Sequence, residues 1–293
     1  MIYDVRHVTT IHYASIVRLA RFNLRLKPAA WPGQILKDYA LTINPLPWTV
    51  QDEAGPYVVN RTRLTLRDPI SQLRIESRFT VDVLPPATSM DTAEGPTIAQ
   101  VRALAVAKPD LSAASPASYL YASPVATMAP EIGDWAKRFF GDRTSVLAGG
   151  KALMAEIHDE FRYDSEATSS DTPPLEAFRQ RRGVCQDFAH IMIIAARAQG
   201  IPAAYVSGYL RTLPPPGEPR LVGADATHAW ASLWCGDELG WIGFDPTNNI
   251  FAQTDHIFTA MGRDYSDVAP LDGVFHGGGG QTMEVAVDVE PVG

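Results

Sequence analysis

The sequence predicts an α+β protein that begins with a small β-sandwich, and two observations carry this prediction. Before residue 90, short apolar runs that alternate or cluster are separated by turns rich in Pro, Gly and Asp, as in an antiparallel sandwich. After residue 90, helical patterns come first and strand patterns follow them, which is typical of helices packed on an antiparallel sheet. We therefore predict one domain over residues 1–90 and a second over residues 91–293, joined by a linker at Pro85–Met90.

Each predicted element follows from the spacing of its apolar residues. In the first domain, strands are predicted over Tyr3–Tyr13, Val17–Leu26, Asp38–Pro45, Tyr57–Leu66 and Gln72–Val83. In the second, helices are predicted over Thr97–Ala107, Pro130–Phe140, Ser145–Phe161 and Val184–Gln199, and strands over Ala203–Leu210, Thr227–Trp234 and Trp241–Asp245. The last of these helices is strongly apolar and ends where Gly200 and Pro202 interrupt its pattern. Beyond them, Gly277–Gly280 is expected to close a hairpin between two C-terminal strands.

Cys185 lies in the first turn of the apolar helix, directly after the polar segment Arg181–Val184. The unpaired backbone N–H groups of that turn and the positive end of the helix dipole favour a thiolate over a thiol. Arg181 and Arg182 are expected to add to this bias. Since the thiolate is the form of cysteine that attacks a carbonyl carbon, this position indicates a nucleophile rather than a structural thiol.

His228 and Asp245 lie on two aromatic-rich runs that a short polar segment separates. If Gly236 and Asp237 form a two-residue turn, His228 pairs directly with Asp245 on one face of the sheet. A four-residue loop makes the pair diagonal but keeps it on one face, whereas a three-residue loop puts the two side chains on opposite faces. On one face, the imidazole can accept and return a proton while the carboxylate fixes its tautomer, so both can serve Cys185 in a catalytic triad.

Three ordered segments, Arg181–His190, Thr227–Trp230 and Phe244–Thr247, resemble the bacterial transglutaminase-like superfamily. The segments Phe161–Asp164 and Gly262–Val268, together with the β-rich N-terminal region, are similar to a subfamily of cysteine proteases within it. The resemblance therefore covers nearly the whole chain.

This resemblance implies a papain-like core, in which a nucleophile helix packs on an antiparallel sheet, preceded by a β-rich domain. It also implies Cys185 as the nucleophile, His228 as the base and Asp245 as the orienting acid. The expected reaction is cleavage or transfer of an acyl group at an amide or peptide bond through a thioester. The acceptor stays open: water gives a peptidase or amidase, which we favour, and a primary amine gives a transglutaminase. A non-catalytic module that retains the fold and binds a peptide or protein is the alternative from another class.

The second donor for the oxyanion is not evident from the sequence. Many members of the wider superfamily use an indole or amide side chain upstream of the cysteine, but no tryptophan lies between Trp135 and Cys185. Gln186 and Tyr163 are the remaining candidates.

Four further residues are candidates near the site. Asp187 and His190 are three residues apart and can pair on the helix surface. His190 is about 140° around the helix from the cysteine, so we predict a supporting role for it rather than that of the base. Asp225 and Trp230 are the predicted substrate-binding residues.

Composition argues against several other classes of protein. A net charge of -8 and a pI near 5.4 give no electrostatic basis for binding nucleic acid. Cys185, His190 and His228 can be imagined as metal ligands, but neither C-x-x-C nor H-E-x-x-H occurs, so we expect no metal and no cofactor. Two cysteines and the lack of a long apolar run predict a cytoplasmic protein without a membrane anchor. The oligomeric state is not indicated.

Overall fold

The computed structural model describes residues 1–86, 94–107, 110–141, 143–212 and 227–292. These residues form an α+β protein with three antiparallel sheets, which confirms the predicted fold class. The domain boundary predicted near residue 90 and most of the predicted linker lie outside the described residues, so the boundary stays a prediction.

The strands and helices of the described residues are numbered in chain order. The strands are β1 (Ile2–Val17), β2 (Leu19–Leu24), β3 (Gln34–Asn44), β4 (Thr49–Ala54), β5 (Asn60–Leu66), β6 (Ile70–Val83), β7 (Arg162–Tyr163), β8 (Arg182–Gly183), β9 (Ala203–Leu210), β10 (Thr227–Trp234), β11 (Trp241–Asp245), β12 (Ile250–Phe251), β13 (His256–Gly262), β14 (Leu271–His276) and β15 (Gln281–Pro291). The helices are α1 (Ile98–Ala107), α2 (Pro130–Ala136), α3 (Val146–Glu160), α4 (Pro174–Gln180), α5 (Cys185–Ala198), α6 (Gly236–Leu239) and α7 (Tyr265–Val268). Across the ranges that the structure covers, none of these helices combines the length and apolar character needed to cross a bilayer.

The N-terminal strands form the predicted sandwich. Its two four-stranded sheets have the orders β15-β1-β6-β3 and β14-β2-β5-β4. Ile11 and Leu73 from the first sheet meet Phe22 and Leu64 from the second in one core, and each is 5% exposed or less. Burial of alternate residues from both sheets therefore holds the sandwich together.

The edge strand β4 is not predicted by the sequence. Its residues Thr49–Ala54 are almost all exposed, so no alternation of buried apolar positions marks it as a strand. It is placed by antiparallel pairing with β5, from Thr49 opposite Thr65 to Ala54 opposite Asn60. Backbone hydrogen bonding to a neighbour, rather than burial, defines this strand.

The last two strands join the N-terminal sheets. β14 pairs with β2, and β15 pairs with β1 over eleven positions, from Tyr3 opposite Pro291 to Tyr13 opposite Gln281. The prediction that Gly277–Gly280 closes a hairpin is therefore wrong, because the strands on either side of it lie in different sheets. The predicted second domain includes these two strands because of their position in the chain. Their hydrogen bonds, however, are with β1 and β2.

The second half of the chain forms the predicted helix-on-sheet core. Five antiparallel strands lie in the order β12-β11-β10-β9-β13, and α5 packs on β9 and β10. Ile191 and Ile194 of α5 share one buried cluster with Ala231 and Leu233 of β10. Helices α2, α3 and α4 contact α5 as well, so the predicted nucleophile helix lies at the centre of this core.

The connection between β10 and β11 is a helical turn. Residues Gly236–Leu239 form α6, and the backbone N–H of Cys235 donates to the Gly240 carbonyl (2.8 Å) across it. Gly236 and Gly240 have φ angles of 88° and 63°, in the left-handed region that favours glycine. The prediction of a two-residue turn at Gly236 and Asp237 is therefore wrong, and the alternative four-residue loop forms instead.

This loop sets the register of the two strands that carry His228 and Asp245. Trp234 pairs with Trp241, and the pairing continues to Ala231 opposite Phe244. One more pair in the same register places Asp245 opposite Trp230, which lies two residues after His228. The two side chains are thus diagonal neighbours on one face, as the four-residue alternative predicts.

We expect Gly208→Ala to lower the free energy of unfolding by about 1–3 kcal/mol. Gly208 lies on β9 opposite His228, and a Cβ there would collide with the backbone oxygen of Ile257 and lie 2.7 Å from the Trp230 ring. Urea denaturation measures the change. Gly280→Ala is the control, because a Cβ at Gly280 meets nothing within 4 Å. Equal stability of the two variants would contradict the packing described here.

Candidate active site

Cys185 is the first residue of α5 and is partly exposed. The turn that presents it is held by Asp187, whose Oδ2 accepts hydrogen bonds from the backbone N–H of Val184 (2.8 Å) and the Thr168 hydroxyl (2.6 Å). Burial raises the pKa of Asp187, and these two hydrogen bonds oppose the rise. Asp187 therefore supports the start of the helix, and its partners do not include His190, with which pairing was predicted.

The chain segment before Cys185 is fixed by a short parallel pair. Strands β7 and β8 align Tyr163 with Gly183, and the backbone N–H of Asp164 donates to the Gly183 carbonyl (2.9 Å). The Arg181 guanidinium lies over the rings of Phe178 (4.3 Å) and Phe161 (4.6 Å). Arg181 thus anchors the segment by cation–π contacts, and the prediction that it biases the cysteine towards the thiolate finds no support in these contacts.

His228 connects the cysteine to a buried carboxylate. Its Nε2 lies 2.8 Å from Oδ2 of Asp245, and Cys185 is close enough to its ring to raise the pKa of the imidazole. Because Nε2 faces Asp245, Nδ1 is the nitrogen available to the thiol. The structure therefore brings together the three residues predicted to form a triad, in the order thiol, imidazole, carboxylate.

The Asp245 carboxylate is fully buried and, among the described residues, five groups donate to it. Oδ1 accepts from the backbone N–H groups of Thr247 (3.0 Å) and Asn248 (3.2 Å). Oδ2 accepts from His228, from the Asn248 side-chain amide (2.8 Å) and from Nε2 of His256 (3.0 Å). Both oxygens are therefore fixed, and the carboxylate cannot rotate without breaking several hydrogen bonds.

Electrostatics in this cluster favour charged forms despite burial. Burial alone would lower the pKa of His228, but hydrogen bonds to Asp245 and Cys185 raise it to about 10. Burial would likewise raise the pKa of Asp245, but hydrogen bonds from His228 and His256 hold it well below its usual range. An imidazolium beside an ionised carboxylate is thus the stable pairing here.

His256 is the residue of this cluster that the sequence does not reveal. It lies at the start of β13, next to β9, while Asp245 ends β11 on the other side of β10. No spacing or motif in the sequence links His256 to the three predicted residues, because only the order of the strands brings it to Asp245.

His190 has a structural environment, in keeping with the predicted supporting role. It is buried, its ring stacks on Tyr205 at 4.8 Å, and its Nε2 accepts from the backbone N–H of Tyr265 (3.2 Å). Burial lowers its pKa to about 4. A neutral His190 is therefore part of the packing beneath α5.

The two candidate oxyanion donors differ in their surroundings. The Gln186 amide donates to the Ser170 carbonyl (3.2 Å), so one of its two N–H groups is already engaged. Tyr163 is 57% exposed and close enough to Cys185 for the thiol to contribute to the rise in the tyrosine's pKa, after burial. Of the two, Tyr163 has the more accessible donor.

Of the two predicted substrate-binding residues, Trp230 is the one that lies within the described part of the chain. Trp230 is 4% exposed and packs over Gly208 and Gly243, and its ring lies 6.1 Å from that of His228. It also lines a cavity of about 540 Å³ between the sandwich and the core sheet. Asp225 lies outside the described residues.

His228, Asp245 and His256 also have the residue types of a metal site. Their ligand atoms lie within 4.8 Å of one another. However, the separations of 2.8 and 3.0 Å between the imidazole nitrogens and the carboxylate are those of hydrogen bonds. The donor geometry is therefore that of a hydrogen-bonded cluster, and it differs from the set of Cys185, His190 and His228 considered from the sequence.

The second cysteine lies apart from this chemistry. Cys235 is fully buried at the start of α6, and burial raises the pKa of its thiol. A thiol held neutral in this way is unreactive, which makes Cys235 a natural internal control.

Comparisons with known proteins identify the family of this chain. The family model of the transglutaminase-like superfamily matches residues 133–246, and that of the bacterial transglutaminase-like N-terminal region matches residues 3–82. An uncharacterized protein of Mycobacterium tuberculosis is 35% identical over 297 residues, covering 99% of this chain and 92% of that protein. One from Mycobacterium leprae is 33% identical over 233 residues, covering 78% of this chain and 77% of that protein.

Two further similarities are more limited. A protein-glutamine gamma-glutamyltransferase of Pseudomonas aeruginosa is 38% identical over 108 residues, covering 34% of this chain and 16% of that protein. The crystal structure of a candidate cysteine protease from Cytophaga hutchinsonii matches with a TM-score of 0.73 and 21% identity, covering all of this chain and 92% of that one. The latter shows that the whole fold recurs in another protein.

We expect the stability of the wild type to fall more steeply with rising pH than that of Asp245→Asn. Because the folded-state pKa of His228 is raised from 6.5 to about 10, its stabilising effect is complete below pH 6.5 and is lost as the pH rises through 10. The amide cannot support the imidazolium, so the difference between the two proteins should be on the order of a few kcal/mol at pH 6.5 and shrink towards pH 10. Chemical denaturation across this range measures it. Parallel curves would contradict the assignment.

Proposed function

Because this chain belongs to the transglutaminase-like superfamily, we propose that it is a cysteine-dependent enzyme that cleaves or transfers an acyl group at an amide or peptide bond. One observation carries the proposal: Nε2 of His228 is hydrogen-bonded to the buried carboxylate of Asp245, and Cys185 is close enough to the same ring to raise its pKa. This is the arrangement that activates a cysteine for attack on a carbonyl carbon.

In the first half of the reaction, Cys185 forms a thioester. With the pKa of His228 raised to about 10, its ring can take the proton of the Cys185 thiol, which leaves the thiolate as the attacking form. The thiolate attacks the carbonyl carbon, and the C–N bond of the amide breaks as the imidazolium gives its proton to the departing amine. Asp245 keeps the ring oriented and offsets its charge before that transfer.

In the second half, an acceptor releases the acyl group. Neutral His228 takes a proton from water or from an amine, which attacks the thioester carbon and breaks its bond to sulfur. Water gives a carboxylic acid and an amine gives a new amide, and both return the thiolate and the imidazolium. One acyl-enzyme therefore serves both outcomes.

The oxyanion formed in each half requires hydrogen-bond donors. The backbone N–H of Cys185 belongs to the first turn of α5, where a helix leaves its N–H groups without helical partners. We assign the second position to the hydroxyl of Tyr163, which is exposed and whose strand pairs it with Gly183, two residues before the cysteine. Two donors aimed at the developing charge are the arrangement that acyl transfer needs.

Hydrolysis is the branch that we favour. Cys185 and Tyr163 are both accessible to solvent, so water can reach the thioester without a dedicated binding pocket. Amine transfer is the second candidate, and the local identity with the glutamyltransferase of Pseudomonas aeruginosa favours it.

We expect Cys185→Ala to abolish covalent capture by an electrophilic amide probe, because the attacking sulfur is lost. Intact-protein mass spectrometry at about pH 6, where an ordinary thiol with a pKa of about 8.5 is almost wholly protonated, measures the labelling. Cys235→Ala is the matched control and should label like the wild type, since Cys235 is buried. Equal labelling of wild type and Cys185→Ala would favour a binding module without catalysis.

A mixture of glutamine-containing peptides and a primary amine should separate the two branches. We expect shortened or deamidated peptides from hydrolysis, and each conversion should disappear in Cys185→Ala. Peptides coupled to the amine would instead identify the transferase. Mass spectrometry of the products distinguishes the three mass changes, and a mixture unchanged by active wild type would argue against glutamine peptides as the substrate.

A further inference from the structure

Asp245 accepts a hydrogen bond from a second histidine, and we propose that His256 is a positioning residue that holds this carboxylate in place for His228. The inference rests on the proposed function, since it concerns how the pair of Cys185 and His228 is maintained. The described contacts of His256 are with Gln253, Asp245 and the rings of His228 and Trp230, and none of them joins it to Cys185. It acts on the reaction through Asp245 alone.

The protonation of the His256 ring follows from its partners. The backbone N–H of Gln253 donates to Nδ1 (3.4 Å), so Nδ1 carries no proton. The proton of the neutral ring is therefore on Nε2, which lies 3.0 Å from Oδ2 of Asp245. His256 is thus a donor to the carboxylate and not a competitor for its proton.

The ring of His256 has little freedom to move. Its side chain is 2% exposed, and the Trp230 ring packs against it edge to face at 5.1 Å. Trp230 is itself held because it packs closely over Gly208 and Gly243, and a Cβ at Gly208 would come within 2.7 Å of its ring. The donor therefore has a fixed direction, which positioning requires.

Asp245 and the two histidines that contact it lie on three different strands. His228 is on β10, Asp245 ends β11 and His256 begins β13. Thr247 and Asn248 lie two and three residues after Asp245, so they fix the carboxylate only relative to its own strand. His256 fixes it relative to the other side of the sheet. Without that bond, Oδ2 loses a donor and its alignment with His228 is set by local contacts alone.

The test uses the reactivity of Cys185, which needs no substrate. Alkylation by iodoacetamide is followed from about pH 5 to about pH 9 in a Cys235→Ala background, which leaves one thiol. We expect His256→Leu to slow alkylation at pH 6 by about 10-fold or more, within the 10–100-fold typical of a lost outer-shell partner. His256→Gln, which keeps an N–H donor at a similar distance along the side chain, should recover most of the rate.

His7→Leu is the matched control. His7 is also buried, and its ring nitrogens contact the hydroxyls of Tyr209 (2.9 Å) and Thr9 (3.1 Å), outside the proposed site. Its loss should lower the melting temperature without changing the pH profile of alkylation. A structural role for His256 would give the same result as this control.

The outcomes separate the two proposals. A reactive wild type with an unchanged profile in His256→Leu overturns the positioning role alone. A wild type that reacts like a free cysteine overturns the proposed function and the positioning role with it. If His256→Leu fails to fold, ¹⁵N NMR of the wild-type ring decides: a proton on Nε2 and none on Nδ1 supports the proposal, and the reverse tautomer overturns it.

Discussion

The burial of one negative charge, that of Asp245, is the constraint on which the arrangement of the core depends. Removing a carboxylate from water is costly unless its oxygens are hydrogen-bonded and an opposite charge is near. Here the donors come from the turn after β11 and from histidines on β10 and β13. The strand order β11-β10-β9-β13 and the long loop at α6 are the features that bring these donors to one point.

A second buried carboxylate supports the other half of the site in a different way. Asp187 has a hydroxyl and a backbone N–H as partners, and burial raises its pKa, whereas two histidines hold the pKa of Asp245 low. The first carboxylate shapes the turn that presents Cys185, and the second sustains the charge on His228. Similar side chains thus have separate tasks because only one of them has a cationic neighbour.

The parts of the fold that the sequence predicts are those with a local signal. The helix that begins at Cys185 has an apolar pattern and a Gly200 stop, and the diagonal relation of His228 to Asp245 was one of two registers compatible with a shared face. The choice between those registers depended on the left-handed conformations of Gly236, which begins α6, and of Gly240, which follows it, and the order of residues does not reveal these conformations. His256 was beyond prediction for another reason: its partner is reached through the order of five strands, which is a property of the whole sheet.

The pairing of the edge strand β4 and of the C-terminal strands β14 and β15 could not be predicted from the sequence either. Strand β4 has no buried stripe because its position depends on pairing with β5, and β14 and β15 are separated from β2 and β1 by most of the chain.

The pairing of β14 with β2 and of β15 with β1 has a consequence for synthesis on the ribosome. Strands β1 and β2 are synthesised before the helices and the five-stranded sheet, yet they lack an outer neighbour until residues 271–291 have left the exit tunnel. Nascent β1 and β2 therefore have open edges while the intervening residues are made, a period in which contact with other chains is hazardous.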